Sequence, residues 1–424
     1  MVDEQQEIKK PNGLNRKQVR SLKRRLLKLV DKGTIDVPEK SRITEIDIIS
    51  DVFSASVSKT SIEVIANKTE HSPDRTIVNL NKLSLETIES IMIKNAENIA
   101  LHLKKTRRTR FAIAFDFTDI MYYGDKENRF VVGTKPKNGT YWSFRFFVVN
   151  IVTEGVRFLL YACPLTKETN GAMVHVEAGI EILQKLNINI HVLTMDKEFY
   201  SADVINYLQK KDVPLLMPAV QNSKFLREVE KIKFPEKLPV VLMNWRVGQP
   251  RINETETTLV ILEEKDEKTD EMHVFGYITN LPIEFYQDNV LVLSELYSKR
   301  WGIETAFRVE DKFDIYTTTR KGEVRYFFFV IGCLLYNFWV FINFCLQIED
   351  FESGKFKILL KIDEMKLFFT IFLLKDKILK NQKITNILLA AMGESQILLL
   401  FCHFSFGAKS EGRFTSKKSM KIFS

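Results

Sequence analysis

Cysteine is scarce in this chain, and the few cysteines present are not spaced for a shared role. The 424 residues include only Cys163, Cys333, Cys345 and Cys402, with no Cys-x-x-Cys pair and no close histidine partner at the spacing of a zinc site. This pattern argues against a structural zinc site and a disulfide framework, and it suits a reducing compartment. The polar, charged N-terminus also lacks the apolar segment of a signal peptide, so we expect a cytoplasmic protein.

Positive charge is in clear excess only near the N-terminus. Residues 1–110 contain 22 Lys and Arg against 15 Asp and Glu, whereas the remaining residues contain 40 against 39. A basic region of this kind is expected where a chain meets a polyanion. Nucleic acid is the first candidate partner and an anionic membrane surface is the second.

Two N-terminal segments predict helices that suit DNA binding. Residues 15–33 ("NRKQVRSLKRRLLKLVDKG") place apolar side chains on one stripe, and the opposite face carries Arg16, Arg20, Lys23, Arg24 and Lys28. We interpret this dense basic face as a phosphate contact rather than a merely solvated surface. Residues 61–83 predict a helix, a turn and a second helix that begins with Ser72 as N-cap and Pro73. This pair is either a helix-turn-helix motif or part of an ordinary helical domain.

The predicted secondary structure changes from helices to strands after the basic linker at 103–110. Strands are predicted at 110–120, 141–152 and 155–163, and an Asn-Gly turn falls within 135–140. A helix (170–187), a strand (188–196), a helix (201–212) and a strand (213–218) follow. Three antiparallel strands followed by this alternation predict an α/β fold, a ribonuclease-H-like mixed sheet flanked by helices.

The pattern predicts five successive regions. They are a helical DNA-binding region (1–105), the first part of the core (106–218), a β-rich insertion (219–290), the second part of the core (291–350) and a C-terminal helical region (351–424). The apolar run at 326–346 is long enough to span a bilayer. Because it follows the helix that carries Glu304, we favour a core helix packed on the sheet over a membrane span.

Carboxylates stand at the positions where this fold converges. Asp116 lies inside the first strand, Asp196 ends the fourth strand and Glu304 lies on the late helix. A buried carboxylate such as Asp116 is costly unless it is paired, and hard Mg²⁺ ions prefer oxygen ligands. Asp119 is predicted to cap a turn or to support the ligands from behind, with a substitute ligand role as the alternative. Asp196 could instead simply start a turn.

Three segments resemble the catalytic blocks of DDE transposases encoded by bacterial and archaeal insertion sequences. They are "AFDFTDIMYYGD", "TMDKEFYSADV" and "YSKRWGIETAF". The third resembles the signature of the cut-and-paste branch, which reads Tyr, two residues, Arg, three residues, Glu, six residues, Lys. "YITNLP" (277–282) resembles a segment that precedes this block, and the resemblance extends over roughly residues 110–345.

The resemblance implies roles for individual residues. Asp116, Asp196 and Glu304 match the catalytic triad, which would bind two Mg²⁺ ions, with Mn²⁺ as a possible substitute. Tyr297 and Arg300 match the signature Tyr and Arg, and Arg suits a bidentate phosphate contact better than Lys. Tyr297, Arg300 and Glu304 are three and four residues apart, so we expect them on one helix face. Tyr297 and Arg300 would then grip DNA phosphates beside the metal ligand Glu304.

The signature Lys is absent, because Asp311 stands at its position. Arg308, one helical turn beyond Glu304, or Lys312, one residue past Asp311, are the alternatives for that phosphate contact. Trp301 and Phe307 are predicted to serve packing. In hairpin-forming members of the family, an aromatic residue of the insertion stacks a flipped base. Trp245 is the candidate here, although we favour a place in the core of the insertion for it.

The sequence therefore predicts an insertion-sequence transposase that works on DNA at the nucleoid. Its expected partners are double-stranded DNA, as inverted-repeat ends and as target, and a second copy of the chain in a synaptic complex, with no membrane. One alternative is another ribonuclease-H-like metal nuclease. An inactive DNA-binding derivative is a second alternative, against which the complete triad argues. A protein anchored in a membrane by residues 326–346 is the third.

Overall fold

A computed structural model places the catalytic segments in one α/β fold. It describes residues 28–69, 72–104, 106, 108–153, 155–232, 239–250, 252–265, 272–346, 361–367 and 369–370. The predicted basic helix at 15–33 lies mostly outside the described residues, as do Arg16, Arg20, Lys23 and Arg24. Most of the predicted C-terminal region at 351–424 lies outside them as well.

Helices precede the sheet, as predicted. In the described part of the chain they are α1 (Glu45–Ser58), α2 (Ile62–Thr69), α3 (Pro73–Leu80) and α4 (Leu85–Leu103). A capping box between Thr44 and Asp47 begins α1. The helix pair predicted at 61–83 is present as α2 and α3, with Pro73 at the first turn, where its missing N–H costs nothing. Whether the pair binds DNA stays a prediction.

Within the described residues, nine strands form a single mixed sheet. They are β1 (Phe111–Met121), β2 (Val131–Lys137), β3 (Thr140–Ile151), β4 (Leu159–Pro164), β5 (Ile190–Met195), β6 (Leu215–Pro218), β7 (Val240–Gln249), β8 (Asn253–Lys265) and β9 (Met272–Thr279). Neighbouring strands follow the order β2-β3-β1-β5-β6-β9-β8-β7, and β4 also pairs with β3.

The ribonuclease-H-like order is confirmed. β1, β3 and β4 pair antiparallel in turn, while β5 and β6 continue the sheet as parallel strands on the other side of β1. Helices α5 (Ala172–Lys185) and α6 (Ala202–Lys210) make the crossovers before β5 and β6. This topology brings the middle of β1 next to the end of β5.

Strand β2 is an addition that the sequence pattern did not predict. Its residues, "VVGTKPK", include Gly, Pro and Lys, which are depleted in strands, and Pro is tolerated because β2 lies at an edge of the sheet. The turn after it was predicted correctly. Asn138 and Gly139 have φ values of 52° and 82°, as a tight hairpin turn requires.

The β-rich insertion extends the central sheet. It contains helix α7 (Ser223–Lys231) and strands β7 to β9, and β9 pairs antiparallel with β6. Trp245 of β7 is only 5% exposed, and its indole N–H donates to the Tyr200 hydroxyl at 3.2 Å. Trp245 therefore occupies the core position that we favoured, and it is not displayed for stacking on a base.

The segment around Glu304 consists of two helices and not one. They are α8 (Leu291–Ser298) and α9 (Trp301–Glu310). At their junction the N–H of Arg300 bonds the carbonyl of Tyr297 at 2.9 Å, a three-residue bond that tightens the turn. The prediction of one continuous helix is therefore wrong, although Tyr297 still contacts Arg300 and Arg300 still contacts Glu304.

The apolar run at 326–346 lies in helix α10 (Gly322–Leu346). Residues 322–344 are long and apolar enough to cross a membrane, but 94% of the most apolar window is buried inside the protein. Asn337 accepts from the Leu159 N–H at 2.9 Å and donates to the Leu159 carbonyl at 2.7 Å. Asn343 donates to the carbonyl of Trp339 at 3.1 Å. The predicted core helix, with a separate partner for each amide, is confirmed.

The N-terminal helices share one hydrophobic core with the sheet and α10. Ser56 of α1 donates its hydroxyl to the carbonyl of Phe313, just beyond α9. Tyr161 of β4 donates its hydroxyl to Glu89 of α4. Residues on either side of the predicted boundary at 105 therefore fold against one another.

Candidate active site

Asp116, Asp196 and Glu304 line the same cleft. In the parallel pair of β1 and β5, Phe115 lies opposite Met195, so Asp116 and Asp196 are the next residues along adjacent strands. Glu304 reaches the cleft from α9. The cleft is open to solvent and has a volume of about 560 Å³. The structure thus brings together the three carboxylates on which the sequence interpretation depends.

Arg300 links two of these carboxylates. Its Nη1 donates to Oδ2 of Asp116 at 2.9 Å, and its Nη2 donates to Oε1 of Glu304 at 2.9 Å. The Arg300 side chain is 11% exposed and that of Asp116 is 14% exposed, so this pairing is largely shielded from solvent. A planar guanidinium is suited to such a double contact. Arg300 therefore faces the carboxylates, a position that the signature alone did not predict.

The surroundings of Asp116 disfavour an isolated negative charge. Burial raises the pKa of its carboxyl to about 6, and the nearby charges of Asp196 and Glu304 contribute to the rise. Arg300 and the N–H of Phe117 oppose it by stabilising the ionised form. A carboxylate in the middle of β1, one directly after β5 and one on α9 form a donor set that suits a hard divalent cation.

Asp119 is held by the neighbouring strands. Ser143 donates to Oδ1 at 2.5 Å, Thr134 donates to Oδ2 at 3.1 Å, and Nε of Arg145 lies 3.6 Å from Oδ1. Both carboxylate oxygens of Asp119 are thus engaged by β2 and β3. These contacts favour the supporting role over the alternative of a substitute ligand.

Asp196 also shapes the turn that follows β5. Its Oδ1 accepts the N–H of Lys197 at 2.5 Å, and a single 3₁₀ turn covers Lys197–Phe199. The turn role that we considered as the alternative is therefore present. It does not compete with a ligand role, because a carboxylate has a second oxygen and further lone pairs.

Tyr297 packs against Arg300 and does not line the cleft. The Arg300 guanidinium lies 5.5 Å from the centre of the Tyr297 ring. The centres of the Tyr277 and Tyr297 rings are 5.3 Å apart. Burial raises the pKa of the Tyr297 phenol above its usual range, so the phenol stays neutral at working pH. In this arrangement Tyr297 positions Arg300.

The two candidates for the missing Lys are placed differently. Arg308 of α9 lines the cleft beside Glu304. Lys312 is directed elsewhere, with Nζ 3.2 Å from Oδ1 of Asp363, and it is not part of the lining. The geometry therefore favours Arg308 for the phosphate contact.

The aromatic residues of α9 have separate surroundings. Phe307 is half-buried and lines the cleft. Trp301 is 61% exposed, so the prediction that it serves packing is wrong. Trp301 is the first residue of α9, and its side chain faces solvent. The next two residues, Gly302 and Ile303, are buried.

A second acidic cluster adjoins α9. Glu310, Asp311 and Asp314 offer oxygen atoms within 4.8 Å of one another. Burial raises the pKa of Glu310 well above its usual value, and Asp314 and Asp311 add to the rise while Lys59 opposes it. Asp311 also lines the cleft of Asp116, Asp196 and Glu304, so this cluster borders that site.

One cysteine has a histidine neighbour that sequence spacing did not reveal. Sγ of Cys163 lies 3.4 Å from Nδ1 of His175, which corrects the expectation that no histidine is close. Burial raises the pKa of the Cys163 thiol to about 12 and lowers the pKa of His175. A buried neutral thiol is inert, so the pair is structural.

Several cleft residues escaped the sequence interpretation. Lys135, Lys137 and Arg145 line the cleft with the carboxylates. Arg145 donates to Oε2 of Glu198 at 2.6 Å, and its guanidinium lies 4.6 Å from the Phe117 ring centre. A charged residue inside the apolar strand "YWSFRFFVVN" was the available signal for Arg145. Lys135 and Lys137 lie in a segment whose sequence does not predict a strand.

A ribonuclease-H-like sheet with three converging carboxylates defines a class of enzymes that break and join phosphodiester bonds with divalent cations. The model of the transposase DDE domain matches residues 109–338. That match covers more than half of the chain. The chain therefore belongs to the DDE transposase family and is a transposase. No curated protein matches the sequence.

The fold also resembles a solved transposase structure. The cryo-EM structure of the piggyBac transposase synaptic complex with hairpin DNA has a TM-score of 0.50 and 12% identity to this chain. The similarity covers 96% of this chain and 85% of that chain. At this identity the likeness shows a shared fold, and it extends well beyond the matched domain.

Proposed function

We propose that this transposase binds the terminal inverted repeats of its insertion sequence, cuts the DNA there and joins the ends to a target. The observation that carries the proposal is the meeting of Asp116, Asp196 and Glu304 in one open cleft beside Arg308. An open cleft can admit a DNA strand. The carboxylates at its floor and the guanidinium at its side match the parts needed for phosphoryl transfer.

We further propose that Asp116, Asp196 and Glu304 hold two Mg²⁺ ions, with Mn²⁺ as a functional substitute. The donor set fits, because all three side chains are carboxylates and their mutual repulsion contributes to the raised pKa of Asp116. Divalent cations bound there would supply the Lewis acidity and charge neutralisation that phosphodiester cleavage needs.

The protein's own residues would orient the reacting groups. Arg308 would hold a phosphate oxygen from the α9 side of the cleft. Arg300, backed by Tyr297, would fix Asp116 and Glu304 in place before DNA enters, and it would be available to a phosphate once the carboxylates are otherwise neutralised. Asp119, Ser143 and Thr134 would hold the β1–β3 part of the cleft rigid.

The wider partners belong to the proposal as well. The similar piggyBac structure is a synaptic complex with hairpin DNA, which supports double-stranded DNA as the substrate of this chain. We propose a homodimer that pairs two element ends at the nucleoid. The basic residues Arg16, Arg20, Lys23 and Arg24, outside the described part of the chain, would contact the repeats.

The test is strand cleavage by the purified full chain on linear DNA that carries the element's ends, with Mg²⁺. Wild-type protein should nick at the ends, and Asp116→Asn, Asp196→Asn and Glu304→Gln should each abolish nicking while end binding remains. Asp119→Asn is the control and should retain measurable activity, since its contacts are structural. Equal cleavage of random duplex would indicate a nuclease without end recognition and would contradict the proposal.

A further inference from the structure

The hairpin of β2 and β3 brings two lysines to the catalytic cleft. Lys135 and Lys137 of β2 are exposed and line the cleft that also contains Asp116, Asp196 and Glu304. Their strand is an addition to the ribonuclease-H-like order, placed at an edge of the sheet. The family signature says nothing about this segment, so its role has to be argued from its position.

The spacing of these lysines suits a DNA strand. The pairing of β2 with β3 shifts register between Gly133 and Lys137, and both lysines line the cleft. Two residues of extended chain span about 6.6 Å at 3.3 Å per residue. This distance is comparable with the separation of adjacent phosphates along one strand of DNA. Pro136, between the lysines, also lines the cleft and lacks an N–H, so the outer edge is not available as a regular pairing edge.

The lining of the cleft combines charges of both signs. The carboxylates include Asp116, Asp196 and Glu304, and the basic side chains include Lys135 and Lys137 from β2 and Arg308 from α9. Burial raises the pKa of Asp311, and the charges of Lys59 and Lys137 lie close enough to oppose that rise. The hairpin therefore approaches the C-terminal end of α9.

Lysine near the edge of a sheet also has a purely structural explanation. Lys and Pro on an edge strand discourage pairing with another chain. That explanation does not require the lysines to face an acidic cleft. Across the described ranges Lys135 forms no ion pair, so its ammonium group is not committed to a neighbouring carboxylate.

We propose that Lys135 and Lys137 bind consecutive phosphates of the DNA strand that enters the cleft, in addition to the phosphate contact of Arg308. The inference rests on the proposed function, since it takes the cleft to be the site of DNA cleavage. It adds a phosphate-binding segment that neither the triad nor the Tyr-Arg-Glu signature includes. These lysines and Arg308 together would hold the strand so that its scissile phosphate meets the three carboxylates.

The experiment measures binding of a short fluorescein-labelled DNA duplex with the element's end sequence to the full chain, in Ca²⁺ and at several salt concentrations. The double variant Lys135→Gln and Lys137→Gln should weaken binding about tenfold or more, and it should reduce the slope of log K against log salt by about 1.8, or 0.9 for each lost phosphate contact. The matched control is Lys126→Gln. Lys126 is exposed in the preceding loop, where its ammonium group lies 5.4 Å from the Trp142 ring centre and outside the cleft lining.

Each outcome separates this inference from the proposed function. A wild-type slope in the double variant would overturn the inference, and so would an equal loss in Lys126→Gln, which would show a general effect of charge. Asp116→Asn should keep the wild-type salt slope while losing Mg²⁺-dependent nicking. If Asp116→Asn nicks normally, the assignment of the catalytic site fails whatever the lysine variants show.

Discussion

Arg300 donates a hydrogen bond of 2.9 Å to Asp116, a residue 184 positions earlier in the chain. The same guanidinium donates to Glu304 at 2.9 Å, so a single cation contacts two of the three residues that match the catalytic triad. The side chains of Arg300 and Asp116 are 11% and 14% exposed, so water does not fully screen the charges of this pair. Arg300 therefore acts as the counter-charge of the cleft in the protein without DNA.

This contact predicts that Arg300 competes with divalent cations for the carboxylates. Arg300→Gln should tighten Mn²⁺ binding to the DNA-free protein by about tenfold. The variant removes a positive charge that repels Mn²⁺, and we scale this repulsion with the effective dielectric constant of a protein. The same variant should cleave DNA more slowly, since a phosphate contact is lost. Calorimetric titration of the free protein with Mn²⁺ measures the first effect independently of activity.

The control for that prediction is Arg300→Lys, which keeps the charge but not the planar fork. It should leave Mn²⁺ affinity nearer to the wild-type value than Arg300→Gln does. Unchanged or weaker Mn²⁺ binding by Arg300→Gln would show that the guanidinium does not compete for the site.

Deletion of residues 1–27 should remove much of the recognition of element ends. This segment contains eight Lys and Arg against three Asp and Glu, whereas residues 28–110 contain 14 against 12. Among the described residues Val30 is the first member of the hydrophobic core. A circular dichroism spectrum and a melting temperature like those of the wild type establish that the shortened chain folds before its binding is compared. A competition shift assay between end-sequence and random duplex measures the preference.

The larger deletion of residues 1–105 is not a suitable test of recognition. It would remove α1 to α4, which supply contacts such as Tyr161 to Glu89 and Ser56 to Phe313. Loss of these contacts would damage the catalytic core itself. If the chain without residues 1–27 still prefers element ends as strongly as the whole chain, recognition lies in another part of the protein.

The sequence was most informative where local chemistry and tertiary structure agree. One aspartate lies inside the apolar strand "AIAFDFTDI" and another directly follows the apolar strand "IHVLTM", and both line the cleft. The order of strands and helices predicted the sheet for the same reason. Lys135 and Lys137 were missed because their edge strand is stabilised by pairing with β3 rather than by its own strand propensity. The junction at Arg300 was missed because helix periodicity cannot distinguish one helix from two that meet at a tight turn.

Glu310 should make the protein less stable as the pH rises. Burial and the charges of Asp314 and Asp311 raise its pKa well above the usual value of 4.5, and the pKa of Asp314 is raised from 3.8 to about 6. The folded state therefore binds protons that the unfolded state has lost. Stability is fully present below the unfolded pKa values and falls as the pH rises through about 6 and above.

Glu310→Gln should remove the larger part of this dependence while keeping the shape of the side chain. A substitution of Gly332, which lies against the Glu310 side chain, could not replace this variant as a test, because an added Cβ there would lie 2.1 Å from Oε1 of Glu310. The variant should be more stable than wild type at about pH 8 and similar to it at about pH 5. Denaturant unfolding at both pH values measures the difference. Glu284→Gln, at an exposed position, is the control, and an identical pH slope for wild type and Glu310→Gln would contradict the prediction.

Asn337 provides the sharpest distinction between a core helix and a membrane span. Its side chain is 2% exposed and accepts from the N–H of Leu159. It donates to the backbone carbonyl of Leu159 at 2.7 Å and to the side-chain Oδ1 of Asn95 at 2.9 Å. Asn337→Leu would leave these buried groups without a partner, at a cost of about 1–3 kcal/mol for each unsatisfied group. The free energy of unfolding should therefore fall, and catalytic activity should become more sensitive to heat.

A membrane helix would respond in the opposite way to the same change. Leucine in place of asparagine favours insertion into a bilayer, so a membrane-anchored protein should tolerate Asn337→Leu or gain stability from it. Denaturant unfolding of the wild type and the variant, together with fractionation after a high-salt and carbonate wash, decides between the two. Wild-type protein that stays with membranes through the wash, or a variant that unfolds no more easily, would show that α10 is not a core helix. The burial of 94% of its most apolar window inside the fold leads us to expect soluble wild-type protein and a destabilised variant.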